Sequence, residues 1–316
     1  MCRRMTGLSV GLVLGAGGAR GLAHLGVIHA LTEAGIVVDM VGGTSQGAYM
    51  GALFAQYPDD IDHLSEQTKK MAASMSDWKE KLWDLTLPIT SLFSGHRFNV
   101  GLRKFFGKLR IQDLVLDFFC VSTDLQANKM VVHTNGLLWK CVRASMSLET
   151  YLPPISEESS LLADGGYTNL VPADVMRARG ARIVISVDVS DEDDIEYHDY
   201  GVQLNGWWLL LNSLSPFTKT VRVPSMGDLN YMIAWVSASQ YKNQVIENSD
   251  IHLVPPVGKY DTLEYDKFEE IVQKGYDYAK PIIDEWAKKH PEFIFRENRH
   301  GEILKEKIAP TNQEQQ

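Results

Sequence analysis

The sequence has little cysteine and no long hydrophobic run. Its three cysteines, Cys2, Cys120 and Cys141, lie far apart, without a CxxC pair or a Cys/His cluster. This spacing argues against a disulfide scaffold and a zinc site, and it favours a reducing compartment. No uncharged apolar stretch approaches the roughly 20 residues that a transmembrane helix needs. The apolar run after the basic start ends at Leu14 in a glycine-rich turn, so we expect a buried strand there rather than a signal peptide.

Positive charge is also in deficit, and the formal net charge is −9. An acidic balance argues against nucleic acid as a partner and gives no electrostatic reason to bind anionic lipid. The hydrophobic content of 45% and the charged content of 22% are ordinary for a globular protein. The length of 316 residues allows one large α/β domain or two small ones. Because the end of the chain is polar, we expect a folded region over residues 1–295 and a loosely ordered tail over residues 296–316.

Short apolar runs alternate with helical patterns along the chain. The predicted strands are 8–14, 37–42, 115–124, 129–134 and 182–190, and the predicted helices are 19–35, 46–56, 136–148 and 172–180. Residues 59–86 form a polar stretch that also favours helix. This alternation predicts an α/β fold with a largely parallel sheet and helices on both of its faces.

A glycine-rich turn, GAGGARG at residues 15–21, separates the first predicted strand from the first predicted helix. Glycines allow backbone N–H groups to converge on one point, and the helix that follows adds partial positive charge at its N-terminus. The turn is typical of a loop that stabilises an anion. Arg20 would strengthen that field.

A dinucleotide-binding turn is the competing interpretation of the same residues. Asp39 lies about 20 residues further on, near the position where a ribose-binding acid is sought. The glycine spacing weakens this interpretation, because a motif that starts at Gly15 has Arg20 in place of its third glycine. Asp39 also falls early in its predicted strand rather than at the carboxyl end, where a ribose would lie.

A second turn, GGTSQG at residues 42–47, places Ser45 between Gly43 and Gly47. An apolar strand precedes it and a helix rich in small residues follows it, which is the context of a nucleophile elbow. The glycines are needed there because the backbone at the serine is strained and neighbouring side chains would clash. The alternative is a tight packing turn whose serine only caps the helix.

No histidine is obviously placed to accept the proton of Ser45. Four histidines follow it, but none lies at a strand end among glycines or small residues: His198, His252, His290 and His300. The better candidate is Asp164, which ends a short apolar run and precedes Gly165 and Gly166. An aspartate on such a turn can approach another turn closely, although alone it would be an ordinary turn residue.

Taken together and in this order, GAGGARG, GGTSQG and DGG resemble the patatin-like phospholipase family, in particular the catalytic domain of neuropathy target esterase and its relatives. The resemblance runs from about residue 8 to about residue 280. The further stretches that support it are 85–99, 142–155, 200–211 and 248–257. It implies a patatin-like three-layer α/β/α sandwich with a mostly parallel central sheet.

Carried over by position, the resemblance makes Ser45 the nucleophile and Asp164 the general base. It assigns the oxyanion hole to Gly17 and Gly18 with the backbone at Ala16. The remaining motif residues are implied as supports: Gly15, Arg20, Gly21, Gly43, Gly47, Gly165 and Gly166. The implied activity is that of a lysophospholipase that cleaves acyl esters of lysophosphatidylcholine and related lipids, without a metal or a cofactor.

The resemblance also implies peripheral contact with a membrane, on the cytoplasmic face of an internal membrane such as the endoplasmic reticulum. The N-terminal membrane anchor and regulatory domains of the larger relatives are absent from this sequence, so we expect an isolated catalytic domain or a fragment. The apolar segments 91–95 and 206–214 would form core, shape an acyl pocket or touch a membrane. Two alternatives stay open, a dinucleotide-binding protein and a lipid-binding domain without catalysis.

Overall fold

A computed structural model describes residues 2–190, 198–214 and 242–294, with isolated positions between 221 and 236. The predicted tail 296–316 lies outside these residues. The eight described strands are β1 Val10–Leu14, β2 Met40–Thr44, β3 Asp117–Asp124, β4 Lys129–His133, β5 Ile155–Glu157, β6 Ser160–Asp164, β7 Ile183–Val187 and β8 Ile251–Leu253. The described helices are α1 Cys2–Met5, α2 Ala23–Glu33, α3 Gln46–Gln56, α4 Ile61–Ser76, α5 Trp78–Asp84, α6 His96–Phe106, α7 Leu138–Ser145, α8 Ala173–Ala178, α9 Gly206–Leu214, α10 Lys242–Glu247 and α11 Phe268–Lys289.

The centre of the sheet is parallel. In the order β3, β2, β1, β7, β8, every neighbouring pair of strands runs in the same direction. All five residues of β1 are buried, as expected of a strand that is covered on both faces. The predicted α/β fold with a mostly parallel sheet is confirmed.

The other end of the sheet is antiparallel, and it decides where two turns meet. β2 pairs with residues 117–121 of β3, and β6 pairs with residues 122–124. Because β4 occupies the opposite edge of β3, β6 must lie on the same edge as β2 and approach it head on. Thr44 and Asp164, the last residues of these two strands, therefore pair with consecutive residues of β3.

Helices cover both faces of the sheet and make three layers. Leu12 and Leu14 of β1 lie in a core that includes residues of α2, α3, α7 and α11. Val13, between them, points to the other face, because side chains alternate along a strand. There it packs in a second core with Met176 of α8. None of the described helices combines the length and the apolar character that crossing a bilayer requires.

The polar stretch predicted as helical is divided into α4 and α5. Asp77 lies between them, and its carboxylate accepts a hydrogen bond from the N–H of Lys79 at 2.8 Å, which starts the second helix. Helix α6 was not predicted. It follows Gly95, which has a φ of 76°, and it contains Gly101, a residue with low helix propensity.

Helices α2 and α11 cross at two glycines. A Cβ atom on Gly26 would lie 2.1 Å from the carbonyl oxygen of Val272, and one on Gly275 would lie 2.2 Å from that of Ala23. Both neighbours are backbone atoms, which cannot turn away as a side chain can. The crossing therefore tolerates only glycine, and it holds α11 against the outer side of α2.

We expect Gly275→Ala to destabilise the protein by about 1–3 kcal/mol, because the added methyl group forces the two helices apart. The free energy of urea unfolding measures this loss. Gly101→Ala is the matched control, because a Cβ at that position has no neighbour within 4 Å. The free energy of unfolding of this variant should be about 0.5–1 kcal/mol higher than that of the wild type, because alanine has a higher helix propensity than glycine. Equal stability of Gly275→Ala and the wild type would contradict the close crossing.

Candidate active site

The two meeting strands bring Ser45 and Asp164 into contact. Ser45 directly follows β2, and Asp164 is the last residue of β6. The Ser45 hydroxyl donates a hydrogen bond to Oδ2 of Asp164 at 2.7 Å, across 119 positions of the sequence. A hydroxyl and a carboxylate at this distance can exchange a proton.

The backbone at Ser45 is strained, with φ 54° and ψ −120°. Such a conformation is rare for a residue with a side chain and costs roughly 1–3 kcal/mol. The glycines on either side permit it: a Cβ on Gly43 would lie 2.5 Å from the carbonyl carbon of Gly47. A Cβ on Gly47 would lie 2.0 Å from the carbonyl oxygen of Leu14. The elbow is therefore held directly against the end of β1.

A serine of α7 holds the elbow from the other side. The N–H of Ser45 donates to Oγ of Ser145 at 2.9 Å, and the Ser145 hydroxyl donates to the carbonyl of Val121 at 2.5 Å. The buried Ser145 thus connects the strained turn to β3. No local pattern of the sequence marks this serine, because its partner is 100 positions away.

Three hydrogen bonds besides that of Ser45 fix Asp164. Its Oδ1 accepts from the N–H of Gly166 at 2.8 Å, and its carbonyl accepts from the Thr123 hydroxyl at 2.8 Å. Its own N–H donates to the carbonyl of Ser147 at 2.9 Å. Gly165 must lack a side chain, since a Cβ there would lie 2.2 Å from a carbonyl oxygen of β3.

Burial raises the pKa of the Asp164 carboxyl from 3.8 to about 7. The hydrogen bonds from Ser45 and Gly166 act in the opposite direction, and the nearby charge of Glu149 raises the pKa a little further. Glu149 interacts with the Tyr167 side chain, and burial raises its own pKa. Asp164 consequently changes its protonation state near neutral pH, which suits a proton acceptor.

The first glycine-rich turn lies beside the elbow, but one of its predicted donors is already used. The N–H of Ala16 donates to the carbonyl of Leu170 at 2.9 Å, so this N–H is engaged within the fold, and the contribution of Ala16 to an oxyanion hole stays a prediction that this contact does not support. The N–H groups of Gly17 and Gly18 have no acceptor among the described residues. Gly18 lines the same cavity as Ser45, and Gly15 joins the turn to β7 through the carbonyl of Val187.

The other residues of this turn are packed tightly. Gly18 has a φ of 55°, and a Cβ there would lie 2.3 Å from the carbonyl oxygen of Thr262. A Cβ on Gly21 would lie 2.5 Å from a side chain of α3. The Nε of Arg20 donates to the carbonyl of Tyr260 at 2.7 Å, which attaches the segment before α11 to the turn. The predicted effect of Arg20 on an anion stays a prediction.

No histidine among the described residues forms a hydrogen bond with Ser45. Three buried or half-buried histidines have other partners: His24 contacts the carbonyl of Gly15 at 2.9 Å, His133 contacts Ser122 at 2.7 Å, and His252 contacts Ser186 at 2.8 Å. His290 lies beside Glu292 at 3.3 Å, and His300 is outside the described residues. Among the described residues, the Ser45 hydroxyl therefore contacts the carboxylate of Asp164 and not a histidine.

Asp39, the candidate ribose ligand, lies at the other end of the sheet. It precedes β2, whereas Ser45 follows the carboxyl end of that strand. Its Oδ2 accepts from the N–H of Val10 at 2.8 Å and from Nε of Arg3 at 3.0 Å. This carboxylate fixes the start of β1 and is far from the glycine-rich turn, which argues against the dinucleotide interpretation.

A cavity of about 200 Å³ opens beside Ser45. Its wall is mainly apolar and comes from α4, α6 and the segment after α7: Met71, Phe98, Leu102, Phe105, Met146 and Leu152. Phe93, from the predicted apolar segment 91–95, also lines it, together with two charged residues, Asp84 and Arg97. In the described part of the chain, no three His, Cys, Asp or Glu side chains come together as a metal site.

Comparison with known proteins finds a matching family and several similar relatives. The model of the family described as Patatin-like phospholipase matches residues 12–177. "Neuropathy target esterase sws" of Drosophila melanogaster is 44% identical over 91% of this chain and 20% of its own length. Patatin-like phospholipase domain-containing protein 7 of Mus musculus is 42% identical over 91% of this chain and 21% of its own length. The corresponding protein 6 of Homo sapiens is 41% identical over the same shares, 91% and 21%. The chain spans about a fifth of the length of the curated relatives it matches.

The raised pKa of Asp164 predicts how stability depends on pH. The folded pKa of about 7 lies above the unfolded value of 3.8, so the folded state binds the proton more tightly and loses stability as pH rises between these values. In Asp164→Asn, an amide that does not titrate replaces this carboxyl. Its stability relative to the wild type should therefore increase by on the order of 3 kcal/mol from pH 4 to pH 8.

Urea unfolding at each pH measures this difference. Asp266→Asn is the control, because it also removes a carboxylate, at an exposed position of the segment before α11. A constant difference between Asp164→Asn and the wild type would mean that burial does not raise the pKa of Asp164.

Proposed function

Because this chain belongs to the patatin-like phospholipase family, we propose that it is a serine lipid hydrolase that cleaves the acyl esters of lysophospholipids such as lysophosphatidylcholine. The observation that carries the proposal is the 2.7 Å hydrogen bond from the Ser45 hydroxyl to Asp164 beside an apolar cavity. The names of the matched relatives, an esterase and phospholipase domain-containing proteins, agree with ester hydrolysis.

In the proposed acylation, Oγ of Ser45 attacks the ester carbonyl while Oδ2 of Asp164 accepts the hydroxyl proton. The tetrahedral intermediate collapses, and the glycerol oxygen leaves with the proton that Asp164 returns. Water then attacks the acyl ester on Ser45, Asp164 accepts its proton, and Ser45 recovers that proton as the fatty acid leaves. No step of this scheme requires a metal or a cofactor.

Asp164 can act without histidine because its environment makes it more basic. A carboxylate in water is a weak base for an alcohol. Burial of Asp164, which is 4% exposed, raises its pKa to about 7 and brings it closer to that of the imidazole it replaces. The Gly166 N–H keeps Oδ1 occupied, so Oδ2 stays directed at Ser45.

The oxyanion of the intermediate would lie between the two turns. The N–H groups of Gly17 and Gly18 are the proposed donors, since they have no acceptor among the described residues. A donor of this kind contributes roughly 3–4 kcal/mol to transition-state stabilisation. The N-terminus of α3 starts at Gln46, directly after the nucleophile, and its dipole favours the same negative charge.

A lipid-binding domain without catalysis is the second candidate, because the apolar cavity would accept an acyl chain in either case. The strained conformation of Ser45 favours hydrolysis. A binding cavity needs no serine with a φ of 54° in contact with a buried carboxylate, whereas an elbow that presents a nucleophile does.

We also propose that the protein touches a membrane peripherally, through α5 and the residues after it. Trp83, Leu87 and Ile89 are 78%, 75% and 84% exposed, and the intervening Asp84 lines the cavity beside Ser45. Tryptophan and leucine at such positions suit a lipid interface. On α9, Trp207 is also exposed. Cys120 and Cys141 are unpaired, which agrees with the cytoplasmic face of an internal membrane such as the endoplasmic reticulum.

We expect a fluorophosphonate probe to label the wild type covalently and to leave Ser45→Ala unlabelled. The labelling rate should rise with pH through about 7, since the deprotonated Asp164 is the base, and Asp164→Asn should reduce it at least about a hundredfold. In-gel fluorescence and mass spectrometry of the labelled peptide measure both effects.

Ser186→Ala is the matched control, because Ser186 is a buried serine that contacts a histidine, at 2.8 Å, and should not react. This variant should label like the wild type. Absence of labelling in the wild type, or labelling that survives in Ser45→Ala, would contradict the proposed function. Lipid binding without labelling would favour the second candidate.

The membrane contact predicts that Trp83→Ser lowers partition into neutral phosphatidylcholine liposomes by about tenfold, because a large apolar side chain no longer enters the interface. Vesicle sedimentation measures the partition. Val115→Ser is the control, since Val115 is 70% exposed but lies before β3, at the end of the sheet opposite Ser45. Equal losses in the two variants would contradict the assigned surface.

A further inference from the structure

Helix α6 presents one charged side chain and several apolar ones to the cavity beside Ser45. Arg97 lies in its first turn, and Phe98, Leu102 and Phe105 follow along the same wall. At 1.5 Å per residue, Arg97 and Phe105 are separated by about 12 Å along the helix axis. Between them, Gly101 leaves the wall open, since a Cβ there would have no neighbour within 4 Å. The side of α6 that lines the cavity thus has an arginine at its N-terminal end and apolar side chains along the remainder.

The side chain of Arg97 is exposed, and its guanidinium forms no hydrogen bond or ion pair with any residue that the structure describes. The other charged residue of the cavity, Asp84, is already engaged. Its carboxylate accepts from the Ser94 hydroxyl at 2.5 Å and from the N–H groups of Gly95 and Arg97 at 3.1 and 3.4 Å. Asp84 therefore caps α6 and leaves the Arg97 guanidinium available to a ligand.

The neighbouring cationic side chains, unlike that of Arg97, are engaged by other residues or do not line the cavity. Arg103 stacks on Trp139 with its guanidinium carbon 4.3 Å from the ring centre. Arg143 is buried, and its guanidinium donates to Asn99 at 2.9 Å and to the carbonyl of Pro153 at 3.0 Å. Lys104 is exposed but does not line the cavity. Among the cavity-lining residues of the described chain, Arg97 alone offers an unengaged positive charge.

We propose that Arg97 binds the phosphodiester of the lysophospholipid head group while the acyl ester lies at Ser45. A guanidinium presents a planar fork of donors that matches two phosphate oxygens, and such charge-assisted pairs are stronger than neutral hydrogen bonds. This inference rests on the proposed function. It makes Arg97 a specificity residue, which favours phosphate-bearing lysolipids over monoacylglycerols with the same acyl chain.

The test compares kcat/KM for 1-palmitoyl-lysophosphatidylcholine with that for 1-palmitoylglycerol, both in neutral detergent micelles so that membrane charge plays no part. Arg97→Gln should lower the ratio of the two values about tenfold, mainly through a higher KM for the phosphate-bearing lipid. Arg97→Lys keeps the charge but not the fork and should recover part of the ratio. Lys104→Gln removes a charge from the same helix and should leave the ratio as in the wild type.

Two results would overturn the inference. An equal loss on both lipids would make Arg97 a structural residue, and an unchanged ratio would mean that it does not contact the head group. Adding inorganic phosphate distinguishes two ligands for Arg97, a lipid phosphate and a free anion. If phosphate raises the melting temperature of the wild type but not of Arg97→Gln, while the lipid ratio stays unchanged, the residue binds a free anion and the head-group assignment is wrong.

A binding measurement tests this inference independently of the proposed hydrolysis. In the Ser45→Ala background, affinity is measured for an ether-linked lysophosphatidylcholine and for an alkylglycerol of the same chain length, neither of which can be hydrolysed. Arg97→Gln should weaken only the former, about tenfold. That result would support binding of the head group by Arg97 even if the wild type hydrolysed neither ester. Equal affinities with and without Arg97 would reject it even if hydrolysis were observed.

Discussion

The hydrogen bond between Ser45 and Asp164 depends on one feature of the sheet, the meeting of two strand ends on one edge of β3. β2 runs parallel to β3 and stops at Thr44, and β6 runs antiparallel to it and stops at Asp164, one residue further along the same edge. Each strand must end there so that its turn can leave the sheet. The eight-residue length of β3 provides room for both partners.

This arrangement also explains the density of glycine around the site. Two turns and the end of β1 converge within a few ångströms, so a Cβ on Gly47 or Gly165 would meet a carbonyl oxygen at 2.0 or 2.2 Å. The same crowding removes water from Asp164 and makes its carboxyl less acidic. Close packing of backbone at the strand ends therefore sets both the geometry and the basicity of the site. Both features reduce the stability of the fold. The backbone of Ser45 is strained, and the buried carboxyl of Asp164 lowers the free energy of unfolding as pH rises.

The parts of the site that sequence analysis identified are those with a local pattern. Ser45, with Gly43 and Gly47, has the spacing that a strained turn requires, and Asp164 is followed by the glycines that its turn needs. Contacts between distant segments were not accessible in this way. Ser145 accepts a hydrogen bond from the Ser45 N–H, and the Ala16 N–H donates to Leu170, because partners a hundred or more positions away fold against these residues. Helix α6 was missed although its Leu102 and Phe106 are buried in the larger core, because Gly101 lowers the helix propensity of the segment.

The sequence by itself determined the α/β class, the largely parallel character of the sheet and the two glycine-rich turns, because strand periodicity and glycine requirements act over a few residues. Only the tertiary structure decided that β6 faces β2 on the edge of β3, which of the glycine-turn N–H groups remain unengaged, and that Arg97 stands at one end of an apolar wall. These properties depend on which distant segments pack against one another and exclude water, and such contacts form only when the whole chain folds.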